Sequence, residues 1–115
     1  MSTQIDELPT LVEADAAVGV LKLLADTTRL RVLQVLASSG ERSVAELAVL
    51  VDVPATGVSQ HLAKLRLGGL VMTRRSGNRI FYRVVNEHVG TLVQEAFLQA
   101  DHLVGGAAHH HGGAA

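Results

Sequence analysis

The chain has 115 residues, 48% of them hydrophobic, a formal net charge of -1 at pH 7 and no cysteine. That size suits one domain with a modest core, and the missing thiols exclude disulfides, thiolate metal sites and thiol redox sensing. Aromatic residues make up only 3%, as Phe81, Tyr82 and Phe97, so the core has to be built from Leu, Val and Ala, with part of the apolar surface available to a subunit interface.

In chain order, residues 1–9 read as a flexible acidic arm. Val12, Ala16, Val20, Leu21 and Leu24 then recur at helical spacing and define one apolar helix face. Asp26 is placed to N-cap a second helix through Leu30, Val32, Leu33, Val35 and Leu36, which Gly40 ends. Ser43 and Glu46 have the spacing of a capping box and open a helix of about two turns with Val44, Leu47 and Leu50. Proline suits a first helical turn, so a further helix is expected from about Pro54 to Leu67, with Val58, Leu62 and Leu65 inward and Gly68 and Gly69 as its stop.

Two short helices joined by a tight turn form a helix-turn-helix pattern. Val71 to Ser76 and Arg79 to Val84 read as strands of a hairpin turned at Ser76, Gly77 and Asn78. A last helix, starting near Asn86 or Glu87 and running to about Leu103, carries an apolar stripe of Val89, Leu92, Val93, Ala96, Phe97, Ala100 and Val104. Residues 105–115 hold only Gly, Ala and His and read as a flexible tail. The expected fold is mainly α with a β-hairpin wing, a winged helix-turn-helix of about five helices and two strands occupying residues 10–104. No leader and no apolar run long enough for a membrane span is evident, so a cytoplasmic chain without membrane contact is expected.

Charge is distributed unevenly along this chain. Between Val53 and Asn86 lie Lys64, Arg66, Arg74, Arg75, Arg79 and Arg83 and no acidic residue, so that stretch holds six of the ten Lys and Arg residues. Concentrating positive charge in a near-neutral chain points to a polyanion. On the expected elements, the exposed side of the second helix of the helix-turn-helix offers Thr56, Ser59, Gln60, His61 and Lys64 to bases or phosphates, while Arg74, Arg75 and Arg79 decorate the wing. Gly57 inside that helix costs about 1 kcal/mol against alanine, which suggests either close approach by another group or loose packing.

Three runs, LADTTRLRVLQVL from Leu24 to Leu36, VSQHLAKLRLGGLV from Val58 to Val71 and RRSGNRIFYRV from Arg74 to Val84, resemble the ArsR/SmtB family of metal-responsive winged-helix regulators. The resemblance extends from about Val18 to Leu103 and implies a homodimer, paired through its terminal helices, that binds an inverted-repeat operator in double-stranded DNA and changes its affinity when a metal binds.

The family's thiolate site is absent, because Ser43 stands where its cysteine would fall. The family's zinc and cobalt sensors carry Asp-x-His near the start of the last helix and His-x-x-His or His-x-x-Glu near its end. Here His88 matches but Asn86 replaces the aspartate, and His102 matches but Gln99 replaces the first histidine of the second pair.

Five of the six histidines are His88, His102, His109, His110 and His111, and Asp101 adjoins His102. The 14 positions between His88 and His102 put both on nearly one helix face but roughly 20 Å apart, too far for one helix to chelate with both. An antiparallel pair of last helices with a two-fold axis near Glu95 brings His88 of one subunit to His102 of the other and makes two equivalent sites. With Asp101 and the tail histidines, up to six nitrogen and oxygen donors favour Ni(II) or Co(II) over tetrahedral Zn(II), as in the nickel- and cobalt-sensing branch of the family. Glu95 is expected near the donors or in solvent, not as a ligand. A Zn(II)-responsive regulator, a winged-helix regulator without metal control and a small enzyme with metal-bound water are the alternatives. No nucleophile or general base is arranged for the last.

Overall fold

The structure, a computed structural model, describes residues 7–105. Most of the expected arm, residues 1–9, and all but the first residue of the expected tail, with His109, His110 and His111, lie outside the described residues. Helix α1 spans Leu11–Leu24 and begins with a capping box: Thr10 Oγ1 accepts from the Glu13 backbone N–H at 3.1 Å, and Glu13 accepts from the Thr10 N–H at 2.8 Å. Helix α2, Thr27–Ser39, is capped by Asp26 as its sequence requires, and Gly40 ends it at φ 87°, a conformation that favours glycine.

Helix α3, Val44–Val51, opens on the expected box of Ser43 and Glu46. It ends at Asp52 in the left-handed region, φ 56°, the tight turn of the helix-turn-helix. Arg31 reaches across from α2 and donates to the carbonyl of Val51 at 2.8 Å, filling one of the acceptors that a helix end leaves open. Helix α4, Ala55–Leu67, starts one residue later than expected because Pro54 serves as its N-cap.

Strands β2, Val71–Ser76, and β3, Arg79–Val84, have the expected bounds, with Gly77 at φ 62° in the first central position of a two-residue turn. The wing has a strand more than the sequence suggests. Arg42–Ser43 forms β1 and pairs antiparallel with β3, Arg42 opposite Tyr82 and Ser43 opposite Phe81, giving the order β1-β3-β2. Two residues are too few to carry an alternating signal, and the strand exists only through its distant partner.

Helix α5, Glu87–Ala100, is α-helical to Ala100 and continues as a π-helical turn over Asp101–Gly105.

The core lies between α2, α3, α4, the inner end of the sheet and the first half of α5. Val32, Leu33, Leu36, Leu47, Val51, Val58, Leu62, Leu65, Leu70, Val71, Val89 and Val93 are buried in it. The expected inward faces of α2 and α4 agree with this. In α3, Leu47 and Val51 face the core, and Leu50 is left 52% exposed.

Much of the apolar surface of the terminal helices lies outside the core of the single chain. Of the α1 stripe only Leu24 is buried and Val20 half-buried, while Val12 is 78% and Leu21 53% exposed. Of the α5 stripe only Val89 and Val93 are buried, and Leu92, Ala96, Phe97, Ala100 and Val104 face outward. Periodicity identifies an apolar face but says nothing about whether the same chain covers it.

Candidate nucleic-acid interface and sensor residues

Helix α4 is divided by its own periodicity. Val58, Leu62 and Leu65 are fully buried, which turns Thr56, Ser59, Gln60 and Lys64 outward together on the exposed side. Those four bring hydroxyl, amide and ammonium groups to the outer side of an α-helix, an element that a major groove admits. Gly57 has a packing reason: a Cβ there would lie 3.3 Å from Val53 Cγ1, so the glycine lets the turn of the helix-turn-helix close on α4. His61 sits apart from the outward four. Its ring is 24% exposed and faces the α1–α2 corner, with Nδ1 3.3 Å from a terminal nitrogen of Arg29 and 3.8 Å from Asp26 Oδ1.

On the wing, the register places Arg74 opposite Phe81 and Ser76 opposite Arg79, so both arginines share a sheet face with Phe81. Each guanidinium lies over that ring, at 5.0 Å for Arg74 and 4.9 Å for Arg79. Arg74 also grips Glu41 with both ends of its fork, the shortest contact being 2.7 Å. This hydrogen-bonded pairing holds the Glu41 carboxyl below its usual range and raises the Arg74 guanidinium. Arg79 approaches Ser43 Oγ at 3.4 Å and Glu46 at 3.9 Å. The Glu46 carboxyl is also lowered, first by the Ser43 backbone N–H that it accepts in the capping box.

Two of the three wing arginines singled out in the sequence thus have acidic neighbours within the chain. Arg75 points to the other face and is exposed, with Nε donating only to the Gly77 carbonyl at 3.2 Å. Arg83 is exposed as well. Glu41 carried no signal of its role, since 33 positions separate it from Arg74.

The proposed donors occupy opposite ends of α5. His88 is exposed in the first turn, beside an apolar groove formed with Val20, Leu24, Leu70 and Leu92. Asn86 is the N-cap, its Oδ1 accepting from the N–H groups of His88 at 3.0 Å and Val89 at 3.3 Å, so its oxygen serves the helix. Asp101 and His102 are exposed in the π-helical turn at the far end, and Glu95 is exposed midway. Among the described residues, no three His, Asp or Glu side chains converge on a point that could hold a metal ion. The expected donors are nitrogen and oxygen without sulfur, and those among the described residues are split between the two ends of α5.

A family described as a helix-turn-helix domain matches residues 24–74. The chain is 54% identical over 94 residues to the HTH-type transcriptional regulator KmtR of Mycobacterium tuberculosis, covering 82% of this chain and 72% of that protein. The crystal structure of the antimony-specific transcriptional repressor AntR superposes with a TM-score of 0.76 at 34% identity, over 84% of this chain and 87% of AntR. The solution structure of the homodimeric winged helix-turn-helix DNA-binding domain of Mb0332 from Mycobacterium bovis, a possible ArsR-family transcriptional regulator, superposes with a TM-score of 0.71 at 37% identity, over 79% of this chain and 83% of that one.

Proposed function

This chain belongs to the ArsR/SmtB family of winged-helix transcriptional regulators, and from that premise we propose a homodimeric regulator whose grip on an inverted-repeat operator is set by Ni(II) or Co(II) held between its last helices. It is a DNA-binding protein and not an enzyme. Helix α4 enters the major groove with Thr56, Ser59, Gln60 and Lys64 toward bases and phosphates. Arg75 meets phosphate from the wing, with Arg74 and Arg79 joining it where the DNA competes with Glu41 and Glu46.

The observation that carries the sensor reading is the split donor set on a helix with an uncovered apolar face. His88 stands at one end of α5, Asp101 and His102 stand at the other, and between them Leu92, 37% exposed, and Ala96, also exposed, lie on the side of the histidines. A two-fold antiparallel pairing covers that face and sets His88 of each subunit beside the partner subunit's Asp101 and His102. The exposed leucine and valine side chains of α1 extend the same face. His109, His110 and His111 supply further donors, which favours six-coordinate Ni(II) or Co(II) over four-coordinate Zn(II).

When bound, the ion supplies a link between two helices of different subunits. The chain's own packing does the rest. Helix α5 lies close on α2, where a Cβ at Gly90 would come within 3.2 Å of Ala37 Cβ, and α2 packs against α4. The mutual angle of the α5 pair therefore sets the distance between the two α4 helices, which have to meet half-sites about 34 Å apart.

Coupling of this kind amounts to about 1–3 kcal/mol, and it is reciprocal: DNA weakens metal binding by the factor by which metal weakens DNA binding. The test is parallel titration of the dimer with Ni, Co and Zn, with and without residues 105–115, read by calorimetry and by operator gel shift. Nickel or cobalt is expected to change operator affinity more than zinc does. Unchanged affinity with all three metals contradicts the sensor reading and leaves a metal-independent regulator, while a stronger zinc response replaces the metal.

A further inference from the structure

The contact between Arg29 and His61 joins three helices through one side chain. Arg29 lies in the first turn of α2, its side chain only 13% exposed. Its Nε donates to the carbonyl of Leu23 at 2.6 Å, and a terminal nitrogen reaches the carbonyl of Lys22 at 3.5 Å. Both acceptors belong to the last turn of α1, where helix carbonyls run short of internal donors; that of Lys22 also accepts from the Ala25 N–H at 3.2 Å. The other terminal nitrogen is directed at His61 Nδ1, 3.3 Å away on α4.

A guanidinium has donors and no acceptor. His61 Nδ1 therefore accepts, and the ring carries its proton on Nε2. Asp26 Oδ1, at 3.8 Å from the same nitrogen, is beyond hydrogen-bond range and instead caps α2 through the Arg29 backbone N–H.

We propose that His61 is a positioning residue: through Nδ1 and Arg29 it fixes the recognition helix against the end of α1, and it does not read a base. Val58, Leu62 and Leu65 hold α4 from below. A directional hydrogen bond from a largely buried cation adds a constraint on its flank that apolar contacts do not supply. The same guanidinium grips α1, whose apolar face is exposed in one chain, so the recognition helix is tied to that helix directly as well as through the core.

Two amide substitutions separate this role from base reading, because asparagine sets its oxygen near the place of Nδ1 and glutamine sets its amide near the place of Nε2. Affinity is measured for a duplex selected in vitro by the wild-type protein and for the set of its single base-pair substitutions. H61N is expected to bind within about twofold of wild type, and H61Q and H61A about tenfold more weakly, the scale of one hydrogen bond to a charged group. The loss is expected to be uniform over the base-pair set.

Retention in H61Q with loss in H61N, or a loss of discrimination at one base pair, overturns the proposal in favour of base reading. Equal affinity for all variants overturns it in favour of an idle surface histidine. A cycle of Arg29→Gln, His61→Gln and the pair gives a second measurement: the double variant is expected to bind no more weakly than the weaker single one, and additive losses overturn the link.

Discussion

The two functional halves of this chain differ in how much of their structure one subunit supplies. The reading half, α3 with α4 and the wing, is anchored on side chains such as Leu47, Val58, Leu62 and Leu65 that are 0% exposed. Its outward residues are consequently placed by the chain's own core. The terminal helices α1 and α5 leave Leu11 84%, Val12 78%, Leu21 53% and Leu98 52% exposed, and the proposed donors His88 and His102 stand at opposite ends of one helix. A surface that must recognise DNA is built to be complete before DNA arrives. One proposed to report on the relation between two subunits is left incomplete in each.

The sharpest break of that contrast is in the cores. Leu62→Ala removes a fully buried side chain beneath the recognition helix and is expected to cost about 2–5 kcal/mol of unfolding free energy, read as a shift in the urea midpoint. Leu21→Ser on α1 is expected to leave the fold of the subunit intact and to weaken dimer association about tenfold or more, as loss of one interfacial leucine does. Sedimentation equilibrium checks it, and equal dimerisation of both proteins would mean that α1 is not in the interface.

A smaller effect separates the wing arginines. Arg75→Ala is expected to lower the slope of log affinity against log salt by about one, the signature of one phosphate contact. Arg74→Ala is expected to lower it by less, because its guanidinium has to leave Glu41 to reach DNA. Equal slopes for the two variants would remove the distinction drawn between the faces of the wing.

The smallest expected effect is acid sensitivity of the caps. The folded carboxyl of Asp26 is held low first by the Arg29 backbone N–H, that of Glu41 by Arg74 and that of Glu46 by the Ser43 backbone N–H. Depressed folded values mean stability that is fully present above the ordinary carboxylate range of about pH 4 and lost as pH falls through the lower folded values. Urea unfolding below pH 4 is expected to show this, with E46Q flattening part of the dependence.

Local chemistry was legible before any coordinates. Asp26, Ser43 with Glu46, Gly40 and the Gly77 turn each act within a few positions, so cap and hairpin bounds could be read directly. The inward face of α4 could be read as well, because its partners lie in the same chain. What escaped was set by distant pairing. Strand β1 depends on β3, the grip of Arg74 on Glu41 spans 33 positions and that of Arg29 on His61 spans 32. Sequence grouped His61 with Thr56, Ser59, Gln60 and Lys64 because all are polar on one helix, and only packing separates them. The stripes of α1 and α5 were legible as apolar, but a hydrophobic period carries no record of which chain buries it.

The central claim is that the sensor site exists only between subunits. It is tested most directly by a heterodimer of one H88A subunit and one H102A subunit, isolated with distinct affinity tags and titrated with nickel by calorimetry. In that dimer the H102A subunit's His88 faces the H88A subunit's His102, so one intact site is expected at wild-type affinity, while each homodimeric variant has none. A heterodimer that binds nickel no better than the two variant homodimers would contradict the account.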